Sequence, residues 1–152
     1  MAITEDQKRT TARIDLGGDA LQALQDMLAA QIAGSALKVV ITAVDGEDGT
    51  ATVTAKVTDQ AGNTVAGTFL LRLWIAQTLL GAASDTNVTT YVPASGGGTA
   101  AHTYTAKCDY DVLTASTGVA VMTLTGADDT YYAMAQLSGE VYGCECPVTG
   151  NV

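Results

Sequence analysis

The chain has 152 residues, the length of one domain with room for an appended arm. Apolar residues make up 47% and charged residues 15%, which excludes a disordered tail or a coiled coil. The net charge of −9, from sixteen acids against seven bases, repels phosphate backbones and anionic membranes, so neither nucleic acid nor membrane is an expected partner.

In chain order, the segment from Met1 to Leu16 is polar and carries three of the seven bases, Lys8, Arg9 and Arg13. It reads as an extended arm that orders on contact with a partner. It has no apolar core of the kind a secretory signal needs, so synthesis and folding in a cytosol are expected. Gly17-Gly18 break the chain, and Asp19 with Gln22 can form a capping box. Leu21, Leu24, Met27, Leu28 and Ile32 then recur at spacings of three and four, which predicts a short amphipathic helix that Gly34 ends. Its stripe has two possible seats, its own domain or a neighbouring subunit. Residues 1–36 are therefore expected to be an anchoring and assembly segment, and residues 37–152 a second domain.

From Leu37 the apolar period changes to two. Leu37, Val39, Ile41 and Ala43 alternate, and after the turn Asp45–Gly49 so do Val53, Ala55 and Val57. Thr68–Ala76 puts Phe69, Leu71, Leu73 and Ile75 on one face, a predicted core row, with Arg72 and Trp74 on the other. This stretch is the longest apolar run, yet it is interrupted by Arg72 and too short to span a bilayer. Further strands are predicted at 88–92, 103–107, 110–113, 119–125, 131–137 and 140–146. Short strands separated by Gly, Asp and Asn turns predict an antiparallel β-sandwich.

Chemistry-bearing residues are sparse. The one histidine, His102, is expected in an exposed loop, and no nucleophile elbow accompanies it. Gly96-Gly97-Gly98-Thr99 lacks the Lys-Ser/Thr of a phosphate loop and reads as a flexible connection. Cys144 and Cys146 share one strand face, and with His102 and Cys108 would make a four-ligand zinc set of non-standard spacing. Reduced, partly buried thiols or a later disulfide from Cys108 are the other readings. The acidic groups Asp45/Glu47/Asp48, Asp109/Asp111 and Asp128/Asp129 sit where turns want Asp, with calcium ligation as the alternative. No catalytic residue, metal or cofactor is expected.

The run Val57-Thr58-Asp59-Gln60-Ala61-Gly62-Asn63-Thr64-Val65-Ala66-Gly67 resembles the V-x-D-x-x-G-N-x-V-x-G signature of bacterial immunoglobulin-like domains of the invasin/intimin type. Gly118-Val119-Ala120 with Leu124-Thr125, and Tyr131-Tyr132-Ala133-Met134-Ala135, resemble two further strands of those domains. The likeness covers roughly residues 50–145 and departs at Thr78–Gly98. It implies an immunoglobulin-like sandwich. The same runs, with Phe69–Ile75, are similar to small proteins of tailed bacteriophages, which implies a virion component. A capsid decoration, cement or head-associated protein that self-associates is the expected function, bound to the major capsid or tail lattice and to its own copies. The interface expected is Lys8, Arg9, Arg13, Leu21, Leu24, Leu28 and Ile32, together with Arg72 and Trp74, whose residue types favour interface centres. Trp74 has a second reading, under the Thr78–Gly98 loop of its own subunit. The alternative function is a host-surface-binding module, for which Tyr91 beside Pro93 is the candidate exposed aromatic.

Overall fold

Period-two alternation lets a strand bury one face, and from Leu37 onward the chain forms nine strands, of which all but the fifth bury part of one face. The computed structural model describes residues 37–151, all β in their regular structure. The expected helix, and with it Lys8, Arg9, Arg13, Leu21, Leu24, Leu28 and Ile32, lies outside the described residues. The strands are β1 (Lys38–Asp45), β2 (Thr50–Thr58), β3 (Leu70–Ala76), β4 (Val88–Pro93), β5 (Thr99–Thr105), β6 (Asp109–Leu113), β7 (Val119–Gly126), β8 (Asp129–Leu137) and β9 (Glu140–Val148). They form a four-stranded sheet in the order β1-β2-β7-β4 and a five-stranded sheet in the order β5-β6-β3-β8-β9. Every pairing between strands is antiparallel.

Setting β5 and β6 aside, the remaining strands in chain order fill the positions A to G of an immunoglobulin constant-type sandwich. β1-β2-β7-β4 is the A-B-E-D sheet, and β3-β8-β9 is C-F-G. The β5–β6 hairpin is inserted between D and E and adds two strands beside β3. The insertion begins at Thr99, directly after the Thr78–Gly98 stretch at which the likeness departs. The fold is an immunoglobulin-like β-sandwich.

Between the sheets lie Val39, Val53, Val57, Met122 and Leu124 from one side, and Leu71, Leu73, Ile75, Val112 and Tyr131 from the other, all at most 3% exposed. Fully burying each such side chain contributes roughly 1.5–3 kcal/mol before ordering costs. Phe69 departs from the expected core row. It precedes β3, its N–H donates to Thr114 Oγ1 at 2.9 Å, and its ring is half-buried at the margin of the core. Tyr91 also departs from expectation. Its side chain is fully buried, so it is no exposed receptor-binding aromatic.

Tyr131, near the start of the F-position strand, makes a tyrosine corner. Its hydroxyl lies 2.9 Å from the Asn87 carbonyl and 2.8 Å from the Ala127 carbonyl, and donates its proton between them. Two residues on, where antibody domains carry a disulfide cysteine, stands the fully buried Ala133. No disulfide joins these sheets, since all three cysteines are free. Tyr131→Phe takes a donor from both carbonyls, Asn87 keeping only the Ala127 N–H at 3.0 Å, and we expect a loss of about 1–3 kcal/mol by urea denaturation. A change under 0.5 kcal/mol (roughly the range of an ordinary surface substitution) would remove the corner from the account.

The acids of the turns act locally. Asp59 accepts the N–H groups of Ala61 and Asn63 at 3.0 and 2.9 Å, and Asp45 accepts the N–H of Glu47 at 3.0 Å. Asp45 also accepts from Thr149, through Oγ1 at 2.6 Å and the backbone N–H at 3.1 Å. These bonds hold both carboxyls below the ordinary value of 3.8, led by the Thr149 hydroxyl for Asp45 and the Asn63 amide for Asp59. A depressed folded-state value stabilises above the unfolded value and is lost as pH falls through the folded one. Thr149→Val should therefore be less stable than the parent at neutral pH, by a margin that shrinks as pH falls below the ordinary carboxylate value. A stability difference that stays constant across that range would contradict the assignment.

Candidate binding surface on the five-stranded sheet

The alternation that buries Leu71, Leu73 and Ile75 sends Arg72 and Trp74 to the outer face of β3, as expected from the sequence. Strand register decides what they meet there. Arg72 lies opposite Asp111 of β6 and Gln136 of β8, and Trp74 lies opposite Asp109 and Met134. On the far side of β6, His102 of β5 lies opposite Asp111.

Arg72 and Asp109 form a two-pronged ion pair, Nε to Oδ1 at 3.0 Å and Nη2 to Oδ2 at 2.7 Å. The Asp109 side chain is only 4% exposed, whereas that of Arg72 is 40% exposed. The hydrogen bond from Asp109 raises the Arg72 guanidinium above its ordinary value, against the opposing effect of burial. The guanidinium also lies 4.2 Å from the centre of the Tyr104 ring and 5.8 Å from that of Trp74. Tyr104 donates its hydroxyl to Asp111 at 2.7 Å, which pushes the phenol up, and the His102 ring meets it edge-on at 4.7 Å. Five side chains from three strands therefore fix one another: His102, Tyr104, Asp111, Arg72 and Asp109.

Trp74 is covered within its own chain. Its indole N–H donates to the Gly81 carbonyl at 2.9 Å, and its ring packs with Ala76, Met134, Ala83 and Tyr132. At 9% exposure it offers a partner little area. Beside it a cleft of about 320 Å³ opens, lined by Arg72, Asp109, Gln136, Ala83 and Val141 among others.

The remaining chemistry-bearing residues are apart from this face or already engaged. His102 belongs to strand β5, not to a loop. Gly97 closes a turn with its N–H on the Ala94 carbonyl at 2.8 Å. All three cysteines are free, and Cys108 and Cys146 are buried. Burial, aided by Cys144 and Asp45, pushes the Cys146 thiol up to about 12, so it stays protonated. No three His, Cys, Asp or Glu residues cluster as a metal site among the described residues. His102, Tyr104, Asp109, Asp111 and Gln136 are the members of the surface that the sequence reading did not place there. Arg72 on an outward face called for an acid, and Asp109-x-Asp111 was the available signal.

No protein-family model matches the chain, and no curated protein does. Among solved structures it is similar to a β-glucuronidase of Parabacteroides merdae, with 16% identity, a TM-score of 0.39, and coverage of 74% of this chain and 12% of that one. It is also similar to a GH20 exo-β-N-acetylglucosaminidase of Vibrio harveyi, with 7% identity, a TM-score of 0.27, and coverage of 77% and 18%. The chain thus spans less than a fifth of either enzyme, and likeness at this level carries no functional argument.

Proposed function

We propose that the protein is a non-enzymatic structural module of a tailed-bacteriophage particle, a decoration or head-associated protein that binds the particle lattice and its own copies. The observation that carries this reading is that the polar groups of the outer face are already engaged with one another. Arg72 is held by Asp109, Tyr104 by Asp111, and His102 lies against Tyr104, which makes a preformed contact surface instead of a reactive centre. The likeness of Phe69–Ile75 and Tyr131–Ala135 to phage proteins supplies the class of particle. In this reading Lys8, Arg9 and Arg13, followed by the stripe Leu21, Leu24, Leu28 and Ile32, anchor the chain.

Co-sedimentation with particles of the phage that encodes it tests the proposal. The full chain should pellet with particles lacking it, and a chain without residues 2–16 should stay in the supernatant with an unchanged melting temperature. Pelleting of neither, or of both alike, overturns the anchoring role.

One observation favours a second reading, a module that binds a host surface. The cleft joins a guanidinium, the Gln136 amide and aliphatic walls, and Tyr104, 49% exposed, stands beyond Arg72. Such a mixture suits a polar ligand such as a surface glycan. Binding to a glycan array that Tyr104→Ala abolishes would favour it over the particle role.

A further inference from the structure

A two-sheet sandwich has four edge strands, and each exposes unpaired backbone groups that natural proteins protect with charge, proline or cover. Here the edges are β1 and β4 in one sheet, and β5 and β9 in the other. β1 carries Lys38 and Asp45. β9 carries Glu140, Glu145 and Pro147. β4 ends on Pro93. β5, Thr99-Ala100-Ala101-His102-Thr103-Tyr104-Thr105, has no proline, acid, lysine or arginine. Among the described strands it pairs with β6 alone, and all seven of its residues are exposed. Its two irregularities lie in the β6 ladder and add twist, without placing a charge on the free side.

We propose that β5 is the self-association strand: it pairs antiparallel with β5 of a second copy, joining two five-stranded sheets into one of ten. The inference rests on the reading that copies of this chain associate, and is independent of any particle. Two facts favour a second copy as the occupant. The chain carries a net charge of −9, so two copies meet with least repulsion along an uncharged strand. The strand is also its own complement. Centred on His102, antiparallel pairing sets Thr99 against Thr105, Ala100 against Tyr104, and Ala101 against Thr103, with no like charges opposed. That is the isologous arrangement a twofold axis requires. Tyr104 and His102, already in edge-on contact, would extend the contact onto the outer face.

Sedimentation of the purified full chain, without particles, tests this separately from lattice binding. The apparent mass should rise from 15.5 kDa toward twice that value with concentration. His102→Glu sets two carboxylates face to face and should weaken association at least about tenfold, whereas His102→Gln stays within about threefold. Hydrogen exchange on the unmodified protein gives a readout that needs no variant. Amides of β5 should slow on going from dilute to concentrated solution, while those of β4 do not. A monomer at every concentration overturns the proposal, as does association that His102→Glu leaves intact. So does β5 protection independent of concentration, the mark of another segment of the same chain on that edge.

Discussion

Gly118→Ala is expected to cost about 2–5 kcal/mol, enough to leave little of a typical domain's stability. Gly118 has φ +79°, and its carbonyl accepts the Val57 N–H at 2.9 Å while its own N–H reaches the Ala115 carbonyl at 2.9 Å. An added Cβ would fall far inside the van der Waals contact distance of the Val65 carbonyl oxygen, a backbone atom with no rotamer to give. Gly62 supplies the control, because it has a similar φ of +89° and open space around its Cβ position. Gly62→Ala should cost only the left-handed backbone term, about 1–2 kcal/mol. Chemical denaturation of the two variants separates close approach from backbone conformation. Equal losses would assign both to φ and remove the contact with Val65 from the argument.

The second large effect concerns the ion pair under the outer face. Arg72→Met keeps an apolar stem beside Tyr104 and Trp74 but leaves the Asp109 carboxylate buried without its cation. Breaking a fully buried pair from one side costs about 3–5 kcal/mol; with the guanidinium 40% exposed, about 2–3 kcal/mol is expected. Asp109→Val should cost less, because the freed guanidinium can turn to water. The double variant Arg72→Met/Asp109→Val should then be more stable than Arg72→Met alone, as no uncompensated charge remains. Additive losses in this cycle would mean that the two side chains do not act as a pair.

The strands were legible in the sequence because a half-buried pleat leaves a period-two trace, and each predicted strand falls on an observed one. The misreadings have physical causes. β5 begins at Thr99, four residues before the predicted start, because an edge strand exposed on both faces has no alternation to read. His102 was read as a loop residue for the same reason. Phe69 continues the alternation of β3, but the strand proper begins at Leu70, so the ring reaches only the margin of the core. The surface was half legible. Which face Arg72 and Trp74 occupy follows from alternation within one strand. That Asp109 and Tyr104 complete the cluster depends on where an inserted hairpin docks, and no local pattern encodes that.

The register of the first and last strands has a mechanical consequence. Lys38, the start of β1, pairs with Thr58, whereas Asp45 at its end meets Thr149, just beyond β9. The chain therefore enters and leaves the sandwich at opposite poles, separated by the length of β1, about 23 Å at roughly 3.3 Å per step. A pull between Leu37 and Asn151 runs along the strands and loads the β1–β2 and β8–β9 ladders in shear. All the hydrogen bonds of a ladder must then yield together instead of opening one after another. A tether built this way resists extension until it fails abruptly.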